Sequence, residues 1–354
     1  MAIIVRKANL DKELPILMDT LLRNRERYDD DDIFRQRFEW AYLKNPHGKA
    51  TAWVVEDDNT GEVVGFTAGF PRKMSVDGKE SLAWNCADFS IDKKYRVLGV
   101  AIKLRRAAKD GVDGGEIPFL YAHPNDRMAV VHERVGHHQI GLMKRYAALL
   151  RLDRKILNYV KLLFLARFLG FFVQPLVHLL LPQPKTRDKS VKFSFVEKQR
   201  FGEEFTEFYE EMRQHYPVSG FRDADYLTWR FIDCPLYQVD TLKVYRDGKL
   251  RGYALVGSLF SMAQIADIVV APEDGLLESL MAQLFKIYRK KGISTMSVKL
   301  HETNPVLEQM KKFGFRERDD ATSKVMVYAN EKNGLHKHIL NPDAWYMTVG
   351  DRDI

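Results

Sequence analysis

The segment Trp40-Ala-Tyr-Leu-Lys-Asn-Pro46 returns 189 residues later as Trp229-Arg-Phe-Ile-Asp-Cys-Pro235, and this recurrence constrains the fold more than any other feature of the 354-residue chain. Each proline is followed by a hairpin pattern, Ala52 to Phe70 in one case and Leu242 to Ser258 in the other. Ala87-Asp-Phe-Ser-Ile91 then matches Ala266-Asp-Ile-Val-Val270 at an offset of 179. His123-Pro-Asn125 falls opposite His301 to Asn304, and Val135-Gly-His137 opposite Phe313-Gly-Phe315. Five correspondences in one order mark a duplicated α/β unit, so the element order can be read from either copy.

The first copy reads as a strand over residues 1–7, then helices over Asp11 to Asn24 and Ile33 to Leu43. The aspartates Asp29 to Asp32 complement the dipole of the second helix. A hairpin follows, Thr51 to Glu56 and Val63 to Phe70 around Asp57-Asp-Asn-Thr-Gly61. Leu82 to Ile91 is a strand. From Val97 the apolar residues Val97, Val100, Ala101, Leu104 and Ala108 fall at helical spacing. Ile117 to His123 is a strand, Asn125 to Val135 a helix, and Gly141 to Leu150 holds a further strand.

Between the Ala87 strand and the Val97 helix lies a basic connection. The successive N–H groups of Val97 to Ala101 stand at a helix start, where four donors lack intrahelical partners and the dipole favours an anion. Gly99 lets a ligand approach the backbone, and Arg96, Lys93 and Lys94 add positive charge. These residues have the chemistry of a phosphate site.

Arg96-Val-Leu-Gly99-Val-Ala101 resembles the R/Q-x-x-G-x-G/A pyrophosphate turn of the GNAT superfamily of acetyl-CoA-dependent acyltransferases, and the duplicated element order resembles that superfamily as well. The resemblance implies an α/β (α+β) fold of two tandem GNAT-like domains, each a mixed, mostly antiparallel sheet flanked by helices. Residues 1–150 would bind cofactor, 191–354 would form a second domain with a degenerate turn, and 151–190 would join them. The co-substrate implied is acetyl-CoA or another acyl-CoA, and the acceptor an amine. The diphosphate would rest on Arg96, Val97, Leu98, Gly99, Val100 and Ala101. Its pantetheine arm would lie in a splay between the Ala87 and Ile117 strands, pairing with the backbone of Phe89, Ser90 and Ile91, while Asn125 would contact it from the far side.

Two catalytic candidates follow from the same resemblance. Asp88 is an acid inside an apolar strand, suited to act as base if burial raises its pKa. Asp267 repeats it in the second copy, so a shared structural role stands beside the catalytic one. His132 occupies the place where relatives carry a tyrosine acid, seven residues after Asn125; it either relays a proton or simply packs. The second copy continues from Val270 with Ala-Pro-Glu-Asp-Gly275, which has no counterpart of Arg96 and sets two acids where a diphosphate would sit.

The net charge of +7 is concentrated: residues 141–200 carry 13 Lys and Arg against 3 Asp and Glu. That distribution argues against a nucleic-acid binder and for a local anionic partner. Within this stretch Ile156 to Leu181 is apolar except for Lys161 and Arg167. It admits three readings: a membrane span, a hydrophobic linker packed between the domains, or a helix or helical hairpin lying on an anionic membrane surface. The last would bring the chain to lipid-linked amines such as amino sugars of surface polysaccharide assembly. Cys86 and Cys234 offer no disulfide framework, and the histidines His123, His132, His137 and His138 lack metal-ligand spacing, so a cytoplasmic, metal-free enzyme is expected, peripheral at the inner face of the membrane if the linker binds there. The rival readings are a non-catalytic acyl-CoA-binding or membrane-scaffold protein and a FemAB-like aminoacyl transferase.

Overall fold

The first copy forms its elements in the predicted order: Ile3–Lys7 (β1), Leu10–Asn24 (α1), Asp31–Leu43 (α2), Thr51–Asp57 (β2), Val63–Val76 (β3), Lys79–Ile91 (β4), Leu98–Asp113 (α3), Phe119–Ala122 (β5), Asp126–Arg134 (α4) and His138–Leu149 (β6). The second supplies Lys192–Glu197 (β7), Glu203–Met212 (α5), Val218–Gly220 (β8), Ala224–Phe231 (α6), Asp240–Arg246 (β9), Lys249–Leu259 (β10), Met262–Val270 (β11), Leu276–Lys290 (α7), Thr295–His301 (β12), Leu307–Lys312 (α8) and Arg316–Ala329 (β13). A tail adds His336–Ile339 (α9) and Trp345–Tyr346 (β14). This computed structural model describes residues 2–24, 31–151, 184–186 and 190–353. The Ile156 to Leu181 segment, and with it every reading of a membrane surface or inter-domain packing, lies outside the described residues. Among those described, no helix is long and apolar enough to cross a membrane.

Both faces of the sheet are covered, which is why its strands read as near-continuous apolar runs. In β2, Ala52 and Val54 pack against α1 and α2 through Leu17, Leu21, Phe34 and Phe38, while Trp53 and Val55 turn the other way onto Val100, Leu104 and Ala108 of α3. The period of two places alternate residues on opposite faces, and each finds a helix.

The main sheet runs β1-β2-β3-β4-β5-β13-β6-β12-β11-β10-β9-β7. Its order shows an exchange that the sequence did not reveal. β6, from the first copy, pairs with β12 of the second, and β13, from the second copy, pairs with β5 of the first. The two exchanged strands pair with each other at the centre. Each half of the sheet is thus completed by a strand from the other half of the chain, an arrangement with the self-complementary character of a two-fold interface.

The repeated tryptophans stand at this pseudo-symmetric junction. Trp40 and Trp229 stack with ring centroids 4.4 Å apart, and each indole N–H donates to the other residue's carbonyl, at 2.8 and 3.1 Å. Both are buried, so the motif that disclosed the repeat is packing between its copies.

Candidate active site

β4 carries the site because it stops being an ordinary strand at Ala87. Register slips between Phe66 and Ala68 of β3, and Asp88 takes a positive φ of 45°, the mark of a bulge. On its other edge β4 pairs with β5 in parallel only from Ala83 with Phe119 to Cys86 with Ala122. Beyond Cys86 the two strands part, leaving the Ala87 to Ile91 edge unpaired on that side. Phe89, Ser90 and Ile91 lie along this edge, but Ser90 Oγ turns to α1 and donates to the Thr20 carbonyl at 3.1 Å, and the Ile91 carbonyl is already engaged: Nε and Nη2 of Arg96 donate to it at 3.1 and 3.0 Å.

After β4 the chain makes a short 3-10 turn over Lys93–Tyr95 and enters α3 with no side-chain cap at Val97. The Val97 amide bonds to the Tyr95 carbonyl, and those of Val100 and Ala101 to the Val97 carbonyl. The Leu98 and Gly99 amides have no partner among the described residues. Residues 96–99 are exposed, and a Cβ built on Gly99 would meet nothing within 4 Å. Of the five amides that the sequence offers, the fold leaves two free at an open, basic helix start, where an anion is favoured. Arg96, also donating to Asn24 Oδ1 at 3.1 Å, contributes charge while bracing the turn to β4. Asn125 is the N-cap of α4, its Oδ1 accepting from the Met128 amide at 3.0 Å.

The acid and base expected from sequence are differently employed. Asp88 points to the α1–α2 face, where both carboxylate oxygens are held by the Arg37 guanidinium and one also accepts from Tyr42 Oη at 3.0 Å. Asp267 repeats this arrangement with Arg222 and Tyr253. A carboxylate held in a buried ion pair in both copies is placed to brace the bulge, the structural role that the repeat had set beside the catalytic one. His132 is buried against His137, the rings 4.5 Å apart, and its Nδ1 has no partner among the described residues. Burial first, then the neighbouring Arg105, hold it well below the ordinary histidine range, so it is neutral near pH 7 and ill-suited to be a proton donor.

Two residues passed over in the sequence stand near the splay instead. Arg105 of α3 is 1% exposed and donates from Nη2 to Thr67 Oγ1 at 2.6 Å, with Nε and Nη1 unpartnered among the described residues. Its guanidinium lies over the Phe89 ring, 5.5 Å from the centroid. Its signal was a charge on the stripe of Ala101 and Ala108. Asp353 gave no signal. It lines a chamber on the α2 side of the sheet with Arg37, Asn85, Arg230 and Arg352, near enough to act electrostatically on Cys86 of β4 and Tyr121 of β5. Its surroundings push the carboxyl above the usual range, the loss of solvation outweighing the pull of Arg352.

Among the described residues, the second copy has no equivalent opening. β11 and β12 pair only as far as Ile265 with Val298, yet the space beyond is taken by the tail: Thr348 bridges to Leu300, and Tyr346 Oη donates to the Ile268 carbonyl. Glu273 at its turn is bound by Arg246 and Arg251. Among the described residues, no group of three His, Cys, Asp or Glu side chains could hold a metal ion.

No protein-family model matches the sequence, and no curated protein matches it. Solved structures do share the fold. A GCN5-related N-acetyltransferase from Anabaena variabilis ATCC 29413 is similar at a TM-score of 0.67 and 14% identity, over 93% of this chain and 73% of its own. The tandem GNAT protein of the clavulanic acid biosynthesis pathway matches at 0.54 and 14%, over 93% and 98% of the two chains. The N-myristoyltransferase of Saccharomyces cerevisiae, solved with myristoyl-CoA, matches at 0.52 and 13%, over 100% and 84%.

Proposed function

We propose that this chain, whose fold is that of the GCN5-related N-acetyltransferases in tandem, transfers the acyl group of acetyl-CoA or a related acyl-CoA to an amine. The observation that carries the reading is the pair of unpartnered amides at Leu98 and Gly99, beneath open space and beside the splayed edge of β4. A diphosphate accepts from those amides, the pantetheine arm follows the Ala87 to Ser90 edge, and the thioester comes to the bulge.

The deprotonation of the amine and the developing negative charge each then have a residue. Asp353, raised above the ordinary carboxylate range, takes the proton from the attacking ammonium on the α2 side. The amine attacks the thioester carbonyl, and the collapsing intermediate expels the thiolate. Arg105, a buried cation with unpartnered nitrogens, opposes the negative charge that develops. His132, held neutral, can offer only a hydrogen bond, so the thiolate takes its proton from solvent or from the attacking nitrogen, which sheds its second proton as it becomes the amide.

Thiol release from acetyl-CoA over a panel of amines, amino sugars included, tests the proposal. Asp353→Asn is expected to lower kcat about 100-fold or more while leaving the KM for acetyl-CoA unchanged. Because the base works deprotonated, the wild-type rate should rise with pH through an inflection above the ordinary aspartate value of about 3.9, and the variant should lose that inflection. An unaltered profile would remove Asp353 from the chemistry.

A further inference from the structure

The chamber that holds Asp353 is unusual in its charge. Arg37 and Arg72 reach into it with their charges answered, by Asp88 and Asp351. Arg230 does not have that answer. It is 2% exposed, and its donors go to the carbonyls of Val349, Gly350 and Arg352 and to Tyr237 Oη, with no carboxylate in salt-bridge range among the described residues. Arg352, on the same wall, likewise has no ion pair among the described residues, and its buried Nε has no partner among them. Two arginines thus face one carboxyl, Asp353, in a space walled by Tyr226 and Trp229. A buried guanidinium without a counter-ion is costly enough that one is expected to arrive from outside.

We infer that the acceptor amine carries an anionic group, a carboxylate or a phosphate, which is held by Arg230 and Arg352 while its nitrogen meets Asp353. This inference rests on the transferase reading and narrows its acceptor class. The local field agrees with it: burial first, and then the charge of Arg352, push Lys299 down to about 8. The space is small, about 20 Å³, so it admits only the oxygen-bearing end of an acceptor, and the rest of the molecule lies at the mouth, where Arg352 and Asp353 are half-exposed. The paired charges also orient the acceptor. With its anion fixed at the arginines, the opposite end of a short molecule is presented to the carboxyl, whereas a cationic acceptor would be repelled.

The test compares acceptors that differ by one charge. With acetyl-CoA and the full chain, glutamate is set against glutamine and glucosamine 6-phosphate against glucosamine, which separates a carboxylate from a phosphate. The charged member of at least one pair should lead by about tenfold or more in kcat/KM. Arg352→Gln, at a half-exposed position, should erase that lead, so that charged and neutral members are turned over at rates within about twofold of each other. Arg230→Lys is the second variant, retaining charge but not the fork, and should reduce the lead in part. Neutral members equal to or better than charged ones in both pairs would overturn the inference, as would a lead that survives Arg352→Gln intact. Calorimetric titration of the same amines reads the preference without turnover, and there equal affinity within both pairs would overturn it. Silence in the thiol assay beside a clear charged preference in calorimetry would contradict the transferase reading and leave the anion site standing.

Discussion

Asp351→Ala is expected to destabilise the protein by about 3–5 kcal/mol, the cost of stranding one buried cation and stripping a second of one of its two carboxylates. Asp351 is 1% exposed and lies between Arg72 of β3 and Arg222 before α6, at 3.0 and 2.6 Å. Arg222 continues to Asp267 at 3.0 Å, and Arg72 donates to the Phe221 carbonyl at 2.6 Å and covers the Tyr226 ring. The chain of charges thus joins the first copy, the second copy and the tail. Removing its central acid leaves Arg72 buried without a counter-ion and Arg222 with Asp267 alone. Denaturant unfolding of variant and parent measures the difference, and a loss under about 1 kcal/mol would show that the network is dispensable.

The same residue fixes a pH dependence. Burial alone would raise the Asp351 pKa, but Arg222 and Arg72 together hold it below the usual value. A carboxylate depressed on folding gives stability that is fully present above its unfolded pKa of about 3.9 and is lost as pH falls through its folded pKa. The parent should therefore lose stability in that acid window more steeply than Asp351→Ala.

Gly99→Trp is expected to weaken acetyl-CoA binding by about 100-fold or more while leaving the unfolding midpoint nearly unchanged. The two effects separate because the space above Gly99 holds no protein atom within 4 Å. Gly99 also lies inside a helix start and has no positive φ, so the backbone accepts a side chain without strain. The indole would instead cover the amides of Leu98 and Gly99, and each charge-assisted hydrogen bond lost is worth about 1.5–3 kcal/mol. Calorimetric titration against thermal unfolding checks both halves of this prediction. Unchanged affinity would mean that the bend is only the beginning of α3.

What could be read in advance depended on whether a residue's role is local. The turn at Arg96 to Ala101 was legible because a strand, a basic bend and a helical stripe are all short-range patterns. The bulge acid could be weighed only in part: Asp267 recurs beside a turn without a basic residue, which set a brace level with the catalytic reading, and the Arg37 and Arg222 pairings are the contacts a brace would need. The exchange of β6 and β13 was hidden, since an alternating strand announces its faces but not its neighbour. A strand over Ala344 to Val349 could be read, and Trp345–Tyr346 forms one, but the last residues of the tail were hidden for a related reason. Nothing in Gly350-Asp-Arg-Asp353 carries a period, and its placement depends on arginines more than a hundred residues away. Arg105 was legible in principle, as a charge in an apolar stripe, because such a residue must be partnered or purposeful.

The account rests most directly on what occupies the Leu98 and Gly99 amides. A crystal structure with acetyl-CoA settles it: the prediction is diphosphate oxygens within hydrogen-bonding distance of both amide nitrogens, with the thioester at the Asp88 bulge and Asp353 facing it. A nucleotide bound at the Gly275 turn of the second copy, or a bend left empty at saturating acetyl-CoA, would contradict it.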